Sequence, residues 1–201
     1  MYLSELSYDG VHFMLSKPLK LVHTEKYNTR LWQKNWCPFV WENTLLITYT
    51  INPHEIVYPN LVTGECYPCY ETEVKSNWEY GELRGSTPAQ LIGEEYLSFF
   101  HSGKYTSSQA SPGYDLWHYY MGAYTFSPDP PFEMTKMTPI PIVAEGFYTQ
   151  SNHEKRVIMP GGFVVSGPSI FVAYGKDDDE VWIAILDRAQ LQNALVPVQT
   201  K

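Results

Sequence analysis

The sequence is short of positive charge. Its 201 residues hold 14 Lys and Arg against 22 Asp and Glu, for a net charge of −8. The cations are scattered, and no basic cluster is left to offset phosphates, which argues against a nucleic-acid or anionic-membrane surface. Cysteine is scarce too: Cys66 and Cys69 form one C-x-x-C, and Cys37 stands alone. A structural zinc site takes four ligands, and no second pair supplies them, so no metal site is expected. An odd thiol count, together with a start (Met1 to Gly10) that has no basic stretch followed by an apolar run, points to a reducing cytoplasm. No apolar run approaches a transmembrane helix in length, so no membrane partner is expected. Helical periodicity is nearly missing. It is convincing only from Asp187 to Leu195, where Asp187 suits an N-cap and Pro197 stops the run.

What the chain has in quantity is aromatic: 16 Tyr, 9 Phe and 6 Trp, residues that favour strands and on which sugar rings stack. The 15 prolines and 13 glycines are spread evenly, as suits short strands joined by turns. Thr44 to Tyr49, Tyr96 to Phe100 and Ser169 to Tyr174 are the clearest strand segments, each bounded by turn formers.

These three segments are the middles of a repeat. Cys37 to Val40 precedes the first and His54 to Tyr58 follows it. Thr87 to Leu91 precedes the second and Tyr119 to Phe126 follows. Met159 to Val164 precedes the third and Val181 to Leu186 follows. The unit is strand, tight turn, strand, loop, strand, and it recurs every ~50–70 residues, the range of a four-stranded propeller blade. The expected fold is therefore all-β: a partial β-propeller of about three blades with a short C-terminal helix, in one domain over 1–201. Residues 1–30 are expected to be a remnant of an earlier blade. Blades follow over 31–83 and 84–150, and a last blade with the helix over 151–201.

Polar residues gather just before the first strand of each unit and just after the second: Lys34-Asn35-Trp36 and Asn52-Pro53-His54, Arg84-Gly85-Ser86-Thr87 and His101-Ser102, Arg156 and Lys176 to Asp179. If the units are blades, all face one pole, a candidate polar-ligand site. Each residue also has a plainer role open to it. His54 suits a turn cap, His101 the edge of an apolar core, Arg84 an ion pair and Asp177 to Glu180 a charged hairpin turn. Tyr119 and Tyr120 face opposite sides of a strand, so at most one points to a site.

The segments Gln33 to Phe39, Arg84 to Pro88, Tyr96 to His101, Tyr119 to Ala123 and Tyr174 to Asp178 resemble, in order and spacing, the mannoside phosphorylases and hydrolases of glycoside hydrolase family 130. Related chains include glycosyltransferases. The resemblance, from about Leu31 to Leu186, implies a five-bladed propeller, an oligosaccharide or glycan as ligand, and no cofactor apart from inorganic phosphate as a candidate co-substrate. It implies a ligand or phosphate contact at Lys34, phosphate binding at His101 and a contact to the same site from Tyr119 or Tyr120. It also implies a bond to sugar hydroxyls from Asp178. Asn35, Trp36, His54, Arg84 and Thr87 complete the expected binding set. Ser102 stands where the family has glycine, and no segment upstream of Lys34 matches the family's general-acid aspartate. Three blades leave open sheet edges, so a second copy or a partner chain is expected to cover them.

Overall fold

The computed structural model describes residues 1–26, 34–109, 111–149 and 152–200. Gln33 and the boundary at 30/31 lie outside the described residues. The fold is all-β with one short helix among the described residues, Arg188–Ala194. Asp187 caps that helix, its carboxylate accepting from the Gln190 N–H at 2.8 Å. Leu195 closes the last turn, and Pro197 then belongs to a short strand, Val196–Pro197.

Three antiparallel strand groups make up most of the molecule. The first is Cys37–Trp41, Thr44–Thr50, His54–Pro59 and Glu65–Thr72, neighbours in chain order, with Val22–His23 added in parallel to the last. The second is built on Glu95–Thr106 and Leu116–Phe126, with Arg84–Gly85 and Gln90–Ile92 on one side and Met134–Met137 on the other. The third is Lys155–Ser166, Ser169–Lys176 and Glu180–Asp187. Trp117, His118 and Tyr119 pair in parallel with Lys155, Arg156 and Val157, which joins the second group to the third. The chain end runs back across the molecule: Val196–Pro197 pairs with Met134–Met137 and Gln199–Thr200 with Val74–Lys75.

The second group has both faces buried. On one face Tyr96, Phe100, Tyr124 and Phe126 pack against Phe39, Leu46 and Ile56 of the first group. On the other, Leu97, Phe99, Met121 and Ala123 pack against Ile158, Phe163, Ile170 and Val172 of the third. This explains the near-continuous apolar runs, since a strand covered on both sides has no solvent face to keep polar. The first group is covered on its far side as well, where Leu21 and Trp36 meet Ile47, Tyr49, Val57 and Cys66, with Leu3 and Leu19 against them. Cys66 is buried in this layer while Cys69, three residues on, is exposed.

The close fit has a specific cost at Gly122. Its register partner is Phe100, and a Cβ there meets the Phe100 ring at 2.3 Å. Phe100 is fully buried and has no room to swing away. Gly122→Ala is therefore expected to cost about 1–3 kcal/mol of stability, the range for overpacking a dense core. Urea unfolding measures it, and an unchanged midpoint contradicts this packing.

Candidate functional site

The first and second groups meet in a cavity of about 340 Å³ lined by Lys34, Asn35, Tyr49, Thr50, Ile51, Asn52, Glu82, Leu83, Arg84 and Gly85. Two backbone features shape it. Asn35 sits in the left-handed region at φ 66°, a conformation that asparagine adopts more readily than most residues. Gly85 lies so close to this turn that a Cβ meets the Asn35 carbonyl oxygen and the Cys37 Sγ, each at 2.5 Å. A side chain at Gly85 therefore drives Arg84–Gly85 away from the segment carrying Lys34.

Of the residues expected from sequence, Lys34, Asn35 and Arg84 come together on the cavity wall. Arg84 is tied to Glu82, its Nη donating to the carboxylate at 2.9 Å. The amide Nδ2 of Asn35 is buried without a hydrogen-bond partner. His101 is the register partner of Arg84 on the neighbouring strand. Its Nδ1 lies 2.7 Å from the Ser86 hydroxyl, and its ring stacks against Tyr119 with centroids 6.1 Å apart. Burial, then the Arg84 and Lys34 charges, push the His101 pKa down to about 4. The imidazole is neutral at pH 7 and meets its surroundings as a hydrogen-bonding group, not as a cation.

Tyr120 points the other way, into a run of rings: Tyr80 at 5.3 Å, Tyr148 at 5.8 Å, and His118 stacked at 6.1 Å. Burial, and then Tyr80, raise its pKa. The Tyr148 hydroxyl donates to the Tyr119 carbonyl oxygen at 3.1 Å, which links the two faces of the strand.

Four expected residues lie elsewhere. His54 is completely buried, its Nδ1–H donating to the Phe132 carbonyl at 2.8 Å, and burial lowers its pKa to about 4. It joins the first group to the second from inside the core. Thr87 is also fully buried, its hydroxyl accepting from the Phe99 N–H at 2.9 Å. Trp36 packs edge-on against Tyr49 at 5.0 Å in the layer behind the cavity. Asp178 is exposed on a turn and paired with Lys155 at 3.2 Å. Its neighbour Asp177 is the one built in, accepting from the Val157 N–H at 2.8 Å beside Tyr119.

Two groups went unmarked in the sequence. Tyr49 and Glu82 line the cavity, and behind Tyr49 lies a buried cluster in which Glu55 takes His23 Nε2 at 2.8 Å and the Lys26 ammonium. Burial, with the Glu55 charge second, pushes Tyr49 up to about 12. The cluster's signal in the sequence is weak, because His23 and Glu55 are 32 residues apart and meet only through the parallel strand Val22–His23.

No family model matches the chain, and no curated protein matches it. Solved structures do. A glycosyl hydrolase from Bacteroides ovatus is 11% identical with a TM-score of 0.61, over 89% of this chain and 55% of that one. A second Bacteroides ovatus structure, described as a candidate glycoside hydrolase, is 13% identical with a TM-score of 0.62, over 94% and 62%. A third comes from the family 130 mannoside phosphorylases, described as containing hydrolases that target β-1,2 mannosidic linkages in Candida mannan. It is 11% identical with a TM-score of 0.58, over 89% and 55%. The likeness is one of fold, and the chain spans little more than half the length of these structures.

Burial is the main cause of the low His101 pKa and the Arg84 and Lys34 charges add to it, so removing either charge relaxes it in part. The His101 ring resonances are expected to titrate at about 4 in the wild type and higher in Arg84→Gln and Lys34→Gln. They stay below the ordinary 6.5, because burial is the larger cause. An unmoved titration in both variants separates His101 from the cavity.

Proposed function

We propose that this chain is a carbohydrate-active protein of the glycoside hydrolase family 130 type that binds β-mannoside-type glycans in the cavity between its first two strand groups. The three groups are then three blades of a propeller, over 31–83, 84–150 and 151–201. The observation that carries the reading is the convergence of Lys34, Asn35 and Arg84 on one cavity wall, with His101 paired beside Arg84 on the next strand. Its support from outside the chain is a fold shared with glycoside hydrolase structures.

The chemistry suits a polyhydroxylated ligand. The free Asn35 amide offers donors, and the Arg84 guanidinium offers more in a fixed fork. Lys34 adds a cation that accepts an anion, inorganic phosphate among them. Cleavage asks for more: inverting attack needs an acid to protonate the leaving oxygen and a nucleophile on the opposite face of the sugar. Glu82, the one carboxylate among the described residues lining the cavity, is held by Arg84. Binding is therefore the activity assigned to these residues, which also fits a non-catalytic carbohydrate-binding module.

Calorimetry with β-1,2-manno-oligosaccharides at millimolar concentration, with and without phosphate, tests the reading. Heat of binding is expected for the wild type. A loss of about tenfold or more is expected in Lys34→Ala/Arg84→Ala, in keeping with ~1.5–3 kcal/mol for hydrogen bonds to charged groups. Absence of heat with every manno-oligosaccharide, alongside neither cleavage nor phosphorolysis, overturns it.

A further inference from the structure

The two long strands of the second group run past the core. On the face that packs against the third group, Leu97, Phe99, Met121 and Ala123 are buried. Successive residues of a strand alternate faces, so the same face continues as His101, Gly103 and Tyr105 on one strand and as Tyr119 and Trp117 on the other. Gly103 is opposite Tyr119, and Tyr105 is opposite Trp117. Exposure rises along this line. His101 is buried and Tyr119 half-buried, while Trp117 is 47% exposed and Tyr105 59%.

The rings follow one another without a break. His101 stacks on Tyr119 with centroids 6.1 Å apart, Tyr119 lies 6.3 Å from Trp117, and Trp117 meets Tyr105 edge-on at 5.9 Å. Gly103 is the one member of the line without a ring. It lets two rings close over the backbone, since a Cβ there touches Tyr119 at 3.5 Å and Trp117 at 3.6 Å. Polar groups lie at both ends. His101 is paired with Arg84, which lines the cavity. Lys155 is the partner of Trp117 on the next strand, and its ammonium pairs with Asp178 at 3.2 Å, both side chains being exposed.

We propose that this line of rings is a platform for the part of a glycan chain that extends beyond the cavity, so that the ligand is an oligosaccharide longer than a disaccharide. The inference rests on reading the cavity as a carbohydrate site, and it adds the length of the ligand. A pyranose presents an apolar face of C–H groups and a rim of hydroxyls. Tyr and Trp suit it, because each offers a flat apolar ring with a polar tip. The Lys155–Asp178 pair offers a donor and acceptors beside Trp117. From His101 to Tyr105 the strand covers ~13 Å at ~3.3 Å per residue, room for more than one sugar ring. Cross-strand ring pairs also steady a hairpin. That role needs neither open rings nor a line that begins beside the cavity, and an exposed apolar row of this kind marks a binding surface.

Calorimetry of the full chain with β-1,2-mannobiose and the matching tetrasaccharide tests this. The wild type is expected to bind the tetrasaccharide about tenfold more tightly than the disaccharide, a difference of ~1.4 kcal/mol. Tyr105→Ala/Trp117→Ala is expected to keep the disaccharide affinity and lose that gain. Tyr105→Leu/Trp117→Leu keeps an apolar cross-strand pair without the rings, and the same loss is expected. This second variant decides the matter where the first does not fold. Equal affinity of the wild type for the two lengths overturns the platform and leaves the cavity reading intact. A gain that survives in either variant overturns it too. So does an equal loss at both lengths in the Leu variant, since the rings then serve the fold or the cavity. Absence of wild-type binding at both lengths overturns the cavity reading, and the platform falls with it.

Discussion

Both faces of the sheet built on Glu95–Thr106 and Leu116–Phe126 are buried, and the rest of the molecule depends on that. Phe100, Tyr124 and Phe126 anchor the first group on one side, and Leu97, Phe99 and Met121 anchor the third on the other. Each large side chain so buried contributes about 1.5–3 kcal/mol. Ser98 donates to the Thr87 carbonyl and His54 Nδ1 to that of Phe132, while the Tyr124 hydroxyl and His54 Nε2 are buried without a partner. The burial of Tyr124 drives its phenol pKa far upward.

The candidate site is a consequence of the same sheet. Glu95–Thr106 runs past the core and out toward the cavity, and Arg84–Gly85 pairs with it at His101 and Phe100. Arg84 thereby lines the cavity, and His101, its register partner, has its pKa lowered mainly by burial. Gly85 permits the segment bearing Lys34 and Asn35 to approach from the first group. One pairing register thus brings cations from two groups to one wall.

Much of this was legible in the sequence. The β-branched and aromatic runs gave the three central strands and their hairpin partners, and Asp187 marked the helix start. Less legible were strands defined by their neighbours. Glu65–Thr72 mixes Glu, Pro and Cys in a way that no period captures, and Val196–Pro197 and Gln199–Thr200 are strands only because other strands lie beside them. Within the site, Lys34, Asn35 and Arg84 could be found because polar residues flanking apolar strands point to a sheet end. His54 and Thr87 carry the same signal, yet both satisfy buried backbone groups. A sequence does not tell a ligand from a carbonyl as the partner of a polar side chain. Asp177 and Asp178 differ by one position on a tight turn, where a single step exchanges a built-in carboxylate for an exposed one.

Stability is concentrated in the doubly covered sheet and falls off toward the N-terminal strands Leu6–Tyr8 and Phe13–Leu15 and the outer strand Glu180–Asp187. Native-state hydrogen exchange measures this directly. Amides of Phe99, Phe100, Met121 and Ala123 are predicted to exchange last, through global unfolding alone. Those of the hairpin Leu6–Leu15 and the outer strand Glu180–Asp187 are predicted to exchange earlier in the isolated monomer. Early exchange in the central strands, or equal protection from end to end, would contradict it.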